Sequence, residues 1–223
     1  MNRSLRTLRP SSSPQLTTHD SPLTRSFFAR DAVTLARALL GMVLVHETAD
    51  GRTAGRIVEV EAYRGPEDRA AHSYGGRRTA RNEVMYGPPG RAYVFFVYGM
   101  HYCVNVVAAG VDEPEAVLIR ALEPVDGIEL MRARRRVDHR TPDAALARGP
   151  ANLCRAMGID RALNGADLLA GSLRLESGRR LRRSCLAAAP RVGVDYAGDH
   201  ARRLWRFYDR TSDAVSVRPR RAN

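Results

Sequence analysis

The chain has 223 residues, a length that one hydrophobic core can serve, since chains split into several domains beyond about 250 to 300 residues. Hydrophobic residues make up 44% and charged residues 27%, with 18 glycines and 12 prolines, which excludes collagen-like, low-complexity and wholly disordered classes. The formal net charge of +12 favours polyanionic partners, nucleic acid first and anionic lipid second.

Residues 1–23 are Arg, Ser, Thr and Pro with scattered leucines, too little apolar surface to offset the entropy of ordering. They are predicted to form a disordered basic tail, either a functionless extension or a tether to DNA, ahead of one folded domain over 24–223. Asp31 is placed to cap a helix carrying Val33, Leu35, Ala36, Leu39 and Leu40, and Gly41 to end it. Short β-rich runs follow at 42–46, 55–63, 92–98, 102–108 and 116–122, separated by Gly, Pro and polar clusters. A helix after Pro124 is predicted to turn Ile128, Leu130 and Met131 inward and to end in Arg132, Arg134, Arg135 and Arg136, cations that suit its C-terminal dipole. A further helix starts at Pro150, uses Leu153, Cys154 and Met157, and stops at Gly158. Strand-like pieces at 172–175, 191–194, 205–208 and 214–217 complete an α+β fold with one core and a small, mostly antiparallel sheet.

All 36 basic residues are arginine. Codon usage in a GC-rich genome explains the identity of these cations better than their excess. The three cysteines, Cys103, Cys154 and Cys185, lack zinc-site spacing and are expected as reduced thiols, and no metal or other cofactor is implied. No run approaches the roughly 18 apolar residues of a membrane span and no signal-peptide core is present, so an intracellular protein without a membrane partner is expected.

In the run Ile57-Val58-Glu59-Val60-Glu61-Ala62-Tyr63, strict alternation puts Ile57, Glu59, Glu61 and Tyr63 on one face and Val58, Val60 and Ala62 on the other. Two carboxylates then share a face with an aromatic ring, near His72 in a Gly- and Arg-rich loop. Such a set suits acid–base chemistry, but on local pattern alone a solvated strand face beside a loop histidine is the favoured reading. In the hairpin from Ala92 to Asn105, Tyr98, Met100 and His101 crowd a turn around Gly99. An apolar wedge of this kind can fill the space left when a base leaves the DNA stack; alternatively the tip folds against its own domain.

Together these segments resemble the alkyladenine (3-methyladenine, or methylpurine) DNA glycosylase family over roughly Leu23 to Val217. The resemblance is carried by Ile57-Val58-Glu59 and Glu61-Ala62-Tyr63, Gly65-Pro66-Glu67-Asp68, Ala71-His72-Ser73, Gly75-Gly76-Arg77, Arg81-Asn82, Tyr98-Gly99-Met100, Arg120-Ala121-Leu122-Glu123-Pro124 and Arg191-Val192-Gly193-Val194. It implies a single compact domain around a curved antiparallel sheet with flanking helices and a protruding β-hairpin that inserts into DNA. It further implies that Glu61 activates a water, held with the help of Arg120 and the Val192 carbonyl, for attack on the anomeric carbon. Tyr63 and Phe95 would stack on the flipped base, the His72 amide would donate to its edge, Asn105 would filter against an amino group, and Tyr98 would intercalate. The implied partner is duplex DNA carrying damaged purines of the 3-methyladenine, 7-methylguanine, hypoxanthine and ethenoadenine class, acted on by a monomer associated with DNA, in cytoplasm or nucleoid if the source is bacterial.

The chain departs from the family at Phe95, where a second tyrosine is common, and at Asn152, where a lysine is often found, a loss for which Arg148 or Arg155 would compensate. Strand cleavage by glycosylases generally proceeds through a Schiff base, and the chain has no lysine to form one; base removal is expected to leave an intact abasic site. Two other function classes compete, a non-catalytic binder of distorted DNA or RNA and, last, a small RNA-processing or formyl-transfer-related domain. Glu61 separates them, because a carboxylate repels phosphate and serves only a hydrolase. Of the arginine runs at 77–81, 134–136, 179–183 and 202–203, about half are expected to be ordinary solvated surface.

Overall fold

The computed structural model describes residues 23–218, so the predicted tail, save its last residue, lies outside the described residues. Two short helices, α1 (Arg25–Phe28) and α2 (Ala32–Leu39), precede the hairpin of β1 (Val43–Thr48) and β2 (Gly51–Tyr63). The strands β3 (Ala92–Val97), β4 (His101–Ala108) and β5 (Glu115–Asp126) follow, then α3 (Ile128–Arg135), α4 (Pro150–Met157), β6 (Leu173–Glu176), β7 (Leu186–Ala189) and β8 (Arg206–Asp209). All eight strands belong to one sheet, in the order β3-β4-β5-β2-β1-β6, with β8 pairing both β2 and β7. Every pairing is antiparallel, and the α+β expectation holds.

The helix ends follow their local chemistry. The Asp31 carboxylate accepts from the amides of Val33 and Thr34, capping α2, whose Leu35, Ala36 and Leu39 are fully buried. Gly158 closes α4 in the left-handed conformation, φ 69°. In α3 only Met131 of the three predicted inward residues is fully buried; Ile128 and Leu130 are half-buried. One large apolar cluster, built on α2, α4 and one face of β2, β4 and β5, forms the core.

Two predicted strands are absent and one was unforeseen. Residues 191–194 and 214–217 form no ladder, because their amides are directed elsewhere: Val192 N–H to the Glu61 carboxylate at 2.7 Å and Ser216 N–H to the Glu59 carboxylate at 2.6 Å. β7 is a Leu-Ala-Ala-Ala segment, of low β propensity, and pairs because β8 offers it an open edge.

β2 changes neighbours halfway along. Its first half pairs with β1 and its second with β8 through Glu59, Val60 and Glu61. At that change the register against β5 slips on both sides of Glu59, a β-bulge that reverses the faces of the residues before it. The strict alternation expected from sequence is therefore wrong for two residues: Ile57 joins Val60 and Ala62 in the main core, while Val58 packs with Ala121 and Ala214 in a separate small cluster.

Candidate active site

The face of β2 opposite the core carries Glu59, Glu61 and Tyr63. Both carboxylates are fully buried, which rules out the solvated-face alternative. An isolated buried carboxylate would protonate or be expelled, so partners must hold these two. Glu61 Oε1 accepts from the Val192 amide at 2.7 Å and lies 3.3 Å from Arg120 Nη1, and its Oε2 accepts from the Tyr63 hydroxyl at 2.9 Å. Burial and the neighbouring Glu61 charge push the Tyr63 phenol well above its ordinary pKa, so Tyr63 stays a donor. Burial works against the charge on Arg120, but Glu61 and Glu59 outweigh it and the guanidinium is held more firmly protonated than usual.

Glu61 opens into a cavity of about 270 Å³, which is lined also by Tyr63, His72, Phe95, Tyr98, Asn105, Arg120 and Val192. All eight residues singled out from the sequence thus meet in one place. β3 and β4 supply the aromatic wall: the Phe95 ring stands edge-on to His72 with centroids 4.6 Å apart, and Tyr93 is 5.3 Å from Phe95. The Tyr93 hydroxyl and His72 Nδ1 share a hydrogen bond of 2.8 Å. Desolvation against these rings, and then the charge of Arg81, lower the His72 imidazole to about 4, so it is neutral at pH 7. Asn105 is buried, and its Nδ2 donates to the Tyr93 carbonyl at 3.0 Å, which orients the carboxamide.

The β3–β4 turn is closed by Met100 N–H donating to the Val97 carbonyl at 3.3 Å. Its two central residues, Tyr98 and Gly99, have φ of 52° and 67°, the handedness of the primed hairpin turns. Tyr98 is 82% exposed and Met100 68% exposed, and Tyr98 also lines the cavity.

Several site residues carried no signal in the sequence pattern. Tyr196, 74% exposed, lines the cavity mouth. Asp68 and Arg191, both quoted above only within longer motifs, form a fully buried bidentate pair at 2.5 and 2.8 Å. Arg191 Nη1 also donates to the Ala62 carbonyl at 3.0 Å, and its guanidinium lies over the Tyr63 ring at 4.7 Å. This pair ties the loop after β2 to the segment that delivers the Val192 amide.

Several arginines of these runs are paired or hydrogen-bonded within the domain. Arg78 pairs with Glu83 and Asp112, Arg202 with Asp199, and Arg134 and Arg135 turn back onto Thr48 and the Leu146 carbonyl. Asn152 Nδ2 donates to the Arg148 carbonyl at 2.9 Å. Among the described residues no group of His, Cys, Asp and Glu is arranged to hold a metal, and no helix is long and apolar enough to cross a membrane.

The sequence model of the family described as methylpurine-DNA glycosylase matches residues 26–213. The chain belongs to this family. It is therefore a DNA glycosylase, an enzyme of DNA repair, and neither the non-catalytic binder nor the RNA-processing alternative stands. Three similar proteins each bear the name "Putative 3-methyladenine DNA glycosylase". That of Clostridium acetobutylicum is 49% identical over 201 residues, covering 87% of this chain and 97% of its own. That of Desulfitobacterium hafniense is 50% identical over 201 residues (88% and 98%), and that of Methanocella arvoryzae 50% over 200 (88% and 96%). The buried carboxylate and the aromatic cavity of this glycosylase both lie within the matched residues.

Proposed function

We propose that this glycosylase hydrolyses the N-glycosidic bond of methylated purines, 3-methyladenine foremost, flipped from duplex DNA into the cavity, with Glu61 as general base. The observation that carries the proposal is a fully buried carboxylate, oriented by three donors, at the inner end of an aromatic cavity. A water beside Glu61 attacks C1′ of the deoxyribose; its proton passes to the carboxylate, and the C1′–N bond electrons leave with the purine. The same negative charge stabilises oxocarbenium character at the sugar as that bond stretches.

A ring-methylated purine is cationic and departs without further protonation, and the faces of Tyr63 and Phe95 attract such a cation by about 1 to 2 kcal/mol. Hypoxanthine and ethenoadenine fall within the proposed range but need a proton, which His72, neutral at pH 7, does not supply. Asn105 filters the base edge, the His72 amide and the Val192 carbonyl complete the polar contacts, and Tyr98 occupies the vacated stack. With no lysine in the chain, the product is an intact abasic site. The folded domain is read as 24–223, acting as a monomer on the DNA of the cell.

The test is single-turnover base release from a duplex carrying one 3-methyladenine or hypoxanthine. Native enzyme releases base and leaves a strand that breaks only on treatment with alkali, whereas Glu61→Gln binds the lesion and releases none. Unchanged release by Glu61→Gln would remove Glu61 from the mechanism.

A further inference from the structure

Behind Glu61 lies a second fully buried carboxylate, Glu59, which no step of the proposed hydrolysis uses. The two stand two residues apart on β2, about 7 Å along the strand. The β2–β8 register places Arg206 opposite Glu61, yet its guanidinium goes to Glu59: Nη1 donates to Glu59 Oε1 at 2.9 Å and to the Val217 carbonyl at 2.7 Å. Arg120 is shared, with Nε donating to Glu59 Oε1 at 3.2 Å while Nη1 stands 3.3 Å from Glu61 Oε1. Glu59 Oε2 accepts from Ser216 N–H at 2.6 Å, and Arg120 Nη2 donates to Ser216 Oγ at 3.2 Å. Two carboxylates and two guanidiniums, all buried, thus close on one another as a neutral set.

The remaining groups near Glu61 leave that balance alone. Tyr63 of β2 and Cys103 of β4 are both shifted toward their neutral forms by burial, Cys103 to about 11. Arg191, over the Tyr63 ring, is matched by Asp68. The charged side chains grouped with Glu61 on this face are therefore Glu59, Arg120 and Arg206.

We infer that Glu59 is a positioning residue that keeps Glu61 a competent base, by holding Arg206 away from it and sharing Arg120. Without the Glu59 charge, both guanidiniums have Glu61 as their only buried carboxylate in this set. A carboxylate so paired binds a proton less readily, and the excess positive charge opposes the cationic sugar of the transition state. The inference rests on the proposed role of Glu61.

The experiment is the pH–rate profile of single-turnover methylpurine release from dimethyl-sulfate-treated duplex DNA. Glu59→Gln leaves one excess positive charge: the acidic limb moves down by about one pH unit, the plateau rate falls at least about tenfold, and duplex affinity holds. Arg206→Gln leaves one excess negative charge and moves the limb upward. The double variant returns it toward the native position, which a purely structural role does not predict. Profiles that superimpose after correction for folded fraction, or that shift in the same direction, overturn the inference. If Glu59→Gln does not fold, Arg206→Gln decides it alone, an unmoved limb counting against. Glu61→Gln is run alongside. Native-like release by that variant defeats the base assignment itself, whereas loss of release with unmoved limbs in the other variants defeats only the role of Glu59.

Discussion

At the inner end of the cavity Glu61 is fastened by donors from three segments: Tyr63 on its own strand, Arg120 on β5 and the Val192 amide from a loop. At the mouth, Tyr98 and Tyr196 are 82% and 74% exposed. The inner end is already arranged for its chemistry, with little reorganisation left for the moment of reaction. The mouth presents exposed aromatic side chains. On the proposed roles, preorganisation and capture are divided between the closed and open ends of one cavity, and variants at each should fail differently.

The largest effect expected is that of Glu61→Gln, a fall of about 10² to 10⁴ in single-turnover rate with lesion affinity kept, read by paired release and binding assays. A comparable loss of affinity would mean that the inner end also does the capturing. Asp68→Asn strands the buried Arg191 and should lower stability by about 3 to 5 kcal/mol in denaturant unfolding; a loss under about 1 kcal/mol would show that Asp68 does not anchor the inner end. Tyr98→Ala should reduce capture of a paired lesion by about 10- to 100-fold, since unstacking costs a few kcal/mol, and affect single-stranded substrate much less. Equal losses on both substrates would make Tyr98 part of the inner machinery instead.

The last effect concerns pH. His72 is lowered from 6.5 to about 4 in the fold, so between those values the unfolded chain binds more protons than the native one. Its contribution is fully present above 6.5 and is lost as pH falls toward 4. His72→Gln should flatten that segment of the stability–pH curve, checked by thermal melts across the range; an unaltered slope would show that the ring is not held neutral by the fold.

Much of this was legible in the sequence, in unequal measure. The capped helix at Asp31, the helix from Pro150 to Gly158 and the β3–β4 hairpin follow from local chemistry. Glu61, Tyr63 and His72 stood out as residue types at close spacing. The burial of Glu59 and Glu61 was not legible, because the backbone amides that close on Glu61 and Glu59 lie 131 and 157 residues further along the chain. Nor were the Asp68–Arg191 and Glu59–Arg206 pairs, whose members lie 123 and 147 residues apart. The segments at 191–194 and 214–217 misled for one reason: their sequences suit strands, but carboxylates on β2 take the amides of Val192 and Ser216.

Tyr98 sits in the left-handed region, φ 52°, at a turn position that Asn or Gly fills with less strain; a bulky residue there costs about 1 kcal/mol or more. Selection for thermal robustness alone, in a population never challenged with alkylating agents, would therefore drift position 98 toward Asn or Gly. With Tyr98 in its proposed role, the survivors would tolerate heat better than their parent and leave more lesions in their DNA.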